Sequence, residues 1–146
     1  MDLVDVNVLV YAHREDVPEH GPMREWLEGL LAGPRPYGMS DLVLSGFVRV
    51  ATHPGVFDPP STMDQALAFA GEVRDRTNRV RITPGPRHWS LFTELCRTAG
   101  VKGNLVPDAC FAALAIESGS EWVTTDRDYA RFPGLRWRHP LDDTAA

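Results

Sequence analysis

The sequence predicts an α/β layer fold around a short-stranded, mainly parallel central sheet. Three observations carry this expectation. Short apolar runs alternate with longer segments along the whole chain. The longer segments space their apolar residues at three and four, the repeat of a helix. Gly, Pro and capping residues stand where those segments should stop and start.

Leu3-Val4-Asp5 reads as the first strand, and the apolar run from Val6 to Tyr11 turns into a short helix. Glu19 to Leu31 is the next helix, with Met23, Trp26, Leu27, Leu30 and Leu31 on one face and Gly33-Pro34 as its stop. Tyr37 to Met39 is a second strand. Ser40 then caps a helix with Asp41 in its first turn, carrying Leu42, Val43, Phe47 and Val50 as far as His53-Pro54. After a proline-containing connection at 58–61, Met63 to Asp75 forms a helix with Ala66, Leu67, Ala70 and Val73 inward. Val80 to Ile82 is a third strand, and Pro86 opens a helix to Thr98 that Gly100 closes. Asn104 is read as the cap of a helix with Pro107 and Asp108 in its first turn. Ala109, Ala112, Ala113 and Ile116 form that helix's small-residue stripe, and Gly119 ends it. Glu121 to Thr125 is a fourth strand and Leu135 to Trp137 a fifth. No repeat or linker interrupts the series, so one domain spans 1–141 and 142–146 is a polar, flexible tail.

Fifteen basic against twenty acidic residues give a formal charge of -5, which excludes a uniformly basic nucleic-acid binder but not local patches. Cys96 and Cys110 have no metal-binding spacing and read as free thiols in a reducing, cytoplasmic setting. No apolar run is long enough for a membrane span, and the first residues lack a basic leader, so neither membrane nor secretion is expected.

In open parallel sheets, ligands bind beyond the carboxyl ends of the strands. Asp5 ends the first strand, Asp126 follows the fourth with Asp128 two residues on, and Asp108 opens the preceding helix. If the first and fourth strands are neighbours, these carboxylates gather at one edge. Their mutual repulsion then calls for a cation, and all-oxygen ligands favour Mg2+ or Mn2+. Such an ion activates water and neutralises a phosphoryl transition state. Taken singly, each aspartate has a structural reading, as a helix cap, a first-turn acid or an Asx-turn. It is their joint position at strand ends that favours a site.

The segments Val4-Asp5-Val6-Asn7-Val8-Leu9, Asn104-Leu105-Val106-Pro107-Asp108-Ala109 and Thr124-Thr125-Asp126-Arg127-Asp128-Tyr129 resemble the acidic motifs of PIN-domain ribonucleases. Phe47-Val48-Arg49-Val50-Ala51-Thr52-His53-Pro54 and Gly134-Leu135-Arg136-Trp137 resemble further regions of VapC-type toxins. The resemblance implies a three-layer PIN-like fold and a metal-dependent endoribonuclease toxin that hydrolyses phosphodiester bonds in RNA, such as tRNA or rRNA. It also implies a homodimer and a VapB-like antitoxin whose tail occludes the site. Carried over, Asp5, Asp108 and Asp126 match the metal ligands, Asp128 an auxiliary acid, and Asn7 a polar neighbour of the first ligand. Ser45, Arg49, Thr125 and Arg127 are supporting candidates. Ser45 could bond water at the ion, Arg49 could pair with a carboxylate, and Arg127 could meet the scissile phosphate or balance charge. One departure stands out: the family usually has glutamate before the position of Phe47, where this chain has Gly46. That departure supports an alternative, a weak or inactive PIN domain that binds antitoxin or RNA.

Arg74, Arg76, Arg79, Arg81 and Arg87 read equally as an RNA-phosphate patch or a solvated face. His53 and His88 read as structural, and Trp26, Trp89, Trp122 and Trp137 as core.

Overall fold

Leu3 and Val4 are wholly buried, which a strand achieves only when both faces of its sheet are covered. The computed structural model describes residues 1–142 and shows how. Strand β1 (Asp2–Val4) leads into helices α1 (Val6–His13) and α2 (His20–Ala32). Then follow β2 (Tyr37–Met39), α3 (Asp41–Ala51), α4 (Met63–Arg74), β3 (Arg79–Arg81), α5 (His88–Ala99), α6 (Val106–Ser118), β4 (Glu121–Val123) and β5 (Trp137–Arg138). The sheet order is β3-β2-β1-β4-β5, and all four strand pairings are parallel. Leu3 lies opposite Gly38 on one side and Trp122 on the other.

The connections β1–β2 and β2–β3 step one way across the sheet and carry α1 to α4. The chain then crosses back through α5 and α6 to β4 and β5. Right-handed crossovers in opposite directions place the two helix groups on opposite faces, which makes three layers. Accordingly α1 packs on α2 and α3, α3 on α4, and α5 on α6. The direction changes between β1 and β4, so a crevice opens at their carboxyl ends.

Local chemistry explains most boundaries. Asp5 caps α1 by accepting from Val6 N, and Ser40 caps α3 by accepting from Leu42 N. Thr62 and Gln65 form a reciprocal capping box at α4. Gly119 takes the left-handed conformation, φ 67°, that ends α6 and turns the chain into β4.

Four expectations are corrected. Leu67 does not face inward but is exposed, and α4 packs through Ala66, Ala70 and Val73. Trp89 is 71% exposed, whereas Trp122 is wholly buried. Asn104 does not cap α6: it sits in a 3-10 turn, Gly103–Leu105, and α6 begins at Val106. The third strand starts at Arg79 rather than Val80, which leaves Arg79 and Arg81 on an edge strand where charge discourages further pairing. In the 142–146 segment, Asp142 ends a 3-10 turn, Pro140–Asp142, and pairs with Arg127. Residues 143–146 lie outside the described residues. Among the described residues, no helix is long and apolar enough to cross a membrane.

Arg138 of β5 closes this half of the sheet. Its guanidinium donates to both Asp2 oxygens, at 2.8 and 2.9 Å, and also to Glu121, so one side chain joins β5, β1 and β4. Burial pushes the Asp2 carboxyl up, but the hydrogen bonds and charge of Arg138 outweigh it and leave the pKa lowered. A lowered carboxyl stabilises the fold above its unfolded pKa and loses that contribution as pH falls through the folded value. Arg138→Met should therefore destabilise the protein by about 1–3 kcal/mol at neutral pH. The gap to wild type should shrink in acid, as measured by urea unfolding across pH.

Candidate active site

The carboxyl ends of β1 and β4 are held together by a hydrogen-bond network that starts at Asp5. This side chain is only 4% exposed. Its Oδ1 accepts from Val6 N at 2.6 Å, and its Oδ2 accepts from the Thr124 hydroxyl at 2.7 Å and from Asn7 Nδ2 at 3.1 Å. Asn7 reaches across as well: its Nδ2 donates to Thr124 Oγ1 at 3.2 Å, and its Oδ1 accepts from Thr125 N at 3.1 Å. Asp126 N in turn donates to Thr124 Oγ1 at 3.0 Å. Thr124, wholly buried, thus links the first and last acidic segments.

Asp108 arrives from the other face. Pro107 and Asp108 stand in the first turn of α6, and the Tyr129 hydroxyl donates to Asp108 Oδ1 at 3.2 Å. Asp5, Asp108 and Asp126 line one cleft of about 970 Å³, together with Asn7, Ser45, Gly46 and Arg49. A smaller cavity of about 530 Å³, bordered by Asp2, Glu25, Trp26, Arg35 and Pro140, lies at the amino end of β1.

Burial dominates the electrostatics of the site, and repulsion among its carboxylates adds to it. Burial pushes the Asp5 carboxyl up, its hydrogen bonds to Thr124 and Val6 pull it down, and the charges of Asp108 and Asp126 add to the rise, to about 7. Burial likewise raises Asp108 against the Tyr129 hydrogen bond, with Asp126 adding to the rise. Burial also raises the Tyr129 hydroxyl, and the neighbouring charge of Asp5 reinforces it.

These residues suit a hard divalent cation. The donors are all oxygen, and added positive charge would relieve the repulsion that shifts Asp5 and Asp108. Among the described residues, no three His, Cys, Asp or Glu side chains form a ready-made ion cage. Magnesium tolerates that, because it keeps several waters and needs only one or two carboxylates.

The other candidates divide. Ser45 and Arg49 line the cleft, but among the described residues Arg49 makes no ion pair with its carboxylates. Thr125 contributes its backbone N–H to Asn7 rather than a side chain to the cleft. Asp126 doubles as a cap, accepting from Asp128 N at 2.9 Å. Asp128 itself is exposed, pairs with Arg131 at 3.5 Å and stays off the cleft wall, although its charge is felt at Asp108. Arg127 turns away to Asp142 at 3.3 Å. At Gly46, a Cβ would stand 2.9 Å from Val6 Cγ2, so α3 and α1 touch where a glutamate would have to fit.

Two contributors went unassigned in sequence, Thr124 and Tyr129. Both sit within the Thr-Thr-Asp-Arg-Asp-Tyr segment, but their partners are more than a hundred residues away or across a helix. The arginine cluster is largely engaged. Arg74, Arg79 and Arg81 converge on Asp41 at 3.0, 3.6 and 3.8 Å, Arg76 donates to Glu72 O, and Arg87 donates to Glu117 O. His88 is a structural side chain, its Nε2 lying 3.0 Å from Cys110 O.

The pattern of the PIN domain family matches residues 3–135. Ribonuclease VapC43 of Mycobacterium tuberculosis is 45% identical over 139 residues, which span 95% of each chain. Two solved structures share the fold. VapBC2 of Rickettsia felis, bound to a DNA fragment from its promoter, has a TM-score of 0.66 at 20% identity, covering 94% of this chain and 97% of the other. VapC20 of Mycobacterium tuberculosis, a toxin that cleaves the sarcin-ricin loop, has a TM-score of 0.65 at 17% identity, covering 93% and 99%.

The Thr124 hydroxyl can be tested alone. Thr124→Val keeps the shape but leaves Asn7, Asp126 N and Asp5 short of a partner, and it should cost about 1–3 kcal/mol in chemical denaturation. Thr124→Ser should recover most of that loss.

Proposed function

Because the chain belongs to the PIN-domain family, we propose that it is a metal-dependent endoribonuclease of the VapC type, the toxin of a toxin–antitoxin pair. The observation that carries this reading is the convergence of Asp5, Asp108 and Asp126 in one cleft, with Asp5 buried and its carboxyl pushed up. A buried carboxylate held near two others costs stability, and a cation bound there would offset that cost.

In this reading Asp5, Asp108 and Asp126 hold Mg2+ or Mn2+. The bound ion supplies charge neutralisation at the phosphate and lowers the pKa of water. The rest of the chemistry belongs to the chain. Thr124, Asn7 and Val6 N fix both oxygens of Asp5, so its orientation is set before substrate arrives. Tyr129 fixes one oxygen of Asp108. Ser45 offers a hydroxyl to water in the cleft, and Arg49 offers a guanidinium to phosphate. Asp128, off the cleft wall, acts on Asp108 through its charge, and Arg127 is held by Asp142.

The substrate is RNA, by analogy with the VapC ribonucleases, and tRNA and rRNA are the first classes to try. The partners are a VapB-like antitoxin and a second copy of the chain, and the cytoplasm is where such an RNA would be met. A second reading has its own support. The Gly46–Val6 contact leaves three carboxylates in the cleft, which favours weaker ion binding and a domain that holds RNA or antitoxin without cutting.

Incubation with tRNA and rRNA in Mg2+ or Mn2+ separates the two. Cleavage should disappear with EDTA. It should fall about 100-fold or more in Asp5→Ala, Asp108→Ala and Asp126→Ala, since losing the ion removes several kcal/mol of transition-state stabilisation. Asp128→Ala should lose less. Activity that survives EDTA or Asp5→Ala would sink the mechanism, and tight RNA binding without cleavage would favour the second reading.

A further inference from the structure

The cleft has a second wall whose apolar residues have no part in the chemistry at the carboxylates. It is built from α3 and the loop after it, and it presents Leu42, Arg49, Val50, Val56 and Phe57. Leu42 and Val56 are exposed, so the cleft that holds the carboxylates also presents apolar surface to solvent. Phosphate and ribose alone would leave that surface uncovered. A nucleobase, with its apolar face, would cover it.

Four aromatic residues line this cleft, Tyr11 on α1 and Phe57, Phe111 and Tyr129 elsewhere, and Phe57 is the one that shares the α3-side wall with Arg49. Phe111 is already stacked on Trp122, with ring centroids 5.5 Å apart and planes 20° from parallel. Tyr129 is buried and committed to Asp108. Phe57 is only partly buried, and its ring is backed by Arg14, whose guanidinium carbon lies 4.2 Å from the ring centroid. Arg14 is itself pinned, with donors to Asp16 at 2.6 and 2.9 Å, to Ser61 Oγ at 3.2 Å and to Pro59 O at 3.0 Å. The loop holds Phe57 from behind as well, its N–H donating to His53 O at 3.1 Å. A ring fixed in advance loses little entropy when a base stacks on it. Arg49 stands in the same cleft, exposed and without an ion pair among the described residues, and a guanidinium forks onto phosphate oxygens.

We propose that Phe57 and Arg49 form a nucleotide subsite, in which Phe57 stacks a base of the RNA beside the cleaved bond and Arg49 meets its phosphate. Arg14 is the positioning residue that holds the ring. This rests on the reading of the cleft as an RNA site. It adds that the α3 wall, and not only the carboxylates, selects what is bound.

The test uses the full chain and short single-stranded RNAs carrying 2-aminopurine, or an abasic spacer, at successive positions, with Ca2+ replacing Mg2+ so that binding is read without cleavage. In the wild type, one position should show quenched 2-aminopurine and the greatest sensitivity to the abasic spacer. Phe57→Leu should weaken binding about 5- to 150-fold, the effect of one stacked base. The abasic spacer should then cost Phe57→Leu nothing further, because the two changes remove the same contact. Phe57→Tyr should keep the affinity, and Arg14→Met should lose part of the quenching. Arg49→Gln should weaken all RNAs alike and reduce the salt slope by about one counterion. The subsite is overturned if Phe57→Leu binds like wild type or if its loss adds fully to that of the spacer. It is equally overturned if no position in wild-type complexes is sensitive to the spacer, a result that needs no folded variant. Cleavage that persists with Phe57→Leu unaffected removes the subsite alone. Stacking without any metal-dependent cleavage removes the nuclease reading alone.

Discussion

A carboxylate sealed at the carboxyl end of the central strand is the constraint on which the rest of this structure depends. Asp5 is nearly inaccessible, yet it faces two other aspartates across one cleft. An apolar residue there would be easier to bury. The chain instead surrounds Asp5 with donors: Val6 N from the helix it caps, Asn7 from the next turn, and Thr124 from the neighbouring strand. Those bonds offset only part of the desolvation, so the Asp5 carboxyl stays raised.

The same bonds reinforce the seam between β1 and β4, at the point where the sheet changes direction. Short strands of three residues offer few backbone hydrogen bonds, so side chains at their two ends reinforce the seam. Arg138 ties Asp2 and Glu121 at one end, and Asp5, Asn7 and Thr124 tie the other. The site and the stability of the sheet therefore share residues. This also accounts for the charge. The net of -5 says little by itself, because Asp41 absorbs three arginines at a distance from the carboxylates and Asp2 absorbs Arg138. The cleft is acidic at Asp5, Asp108 and Asp126 and apolar toward α3, where Arg49 makes no ion pair among the described residues.

Periodicity and end signals made the elements legible, because caps and glycines act within a turn of where they stand. Ser40, Gly100 and Gly119 behave as their neighbours require. The errors fall where local rules compete. Leu67 and Trp89 have apolar side chains at helical spacing, but the surface also carries apolar residues, and only packing decides which are covered. Asn104 is a good capping residue, yet Gly103 and Leu105 wind a tighter turn there and start the helix later.

For the site, the sequence alone determined which carboxylates end strands or open helices. Together with the motif resemblance, that made Asp5, Asp108, Asp126 and Asp128 candidates, because strand ends and first turns share one edge in a parallel sheet. The resemblance set Asp126 as a ligand and Asp128 as an auxiliary acid, but the sequence could not say where either points. Two residues on a tight turn point apart, and only the fold shows Asp126 in the cleft and Asp128 beside Arg131. Nor could it assign Thr124 and Tyr129, whose roles are bonds to segments distant in sequence. Gly46 shows the same division: the sequence shows that a side chain is missing, and the structure shows Val6 occupying its place. Local chemistry is written in the order of residues, whereas contact across the sheet depends on which strands become neighbours, and that is decided by the packing of the whole chain.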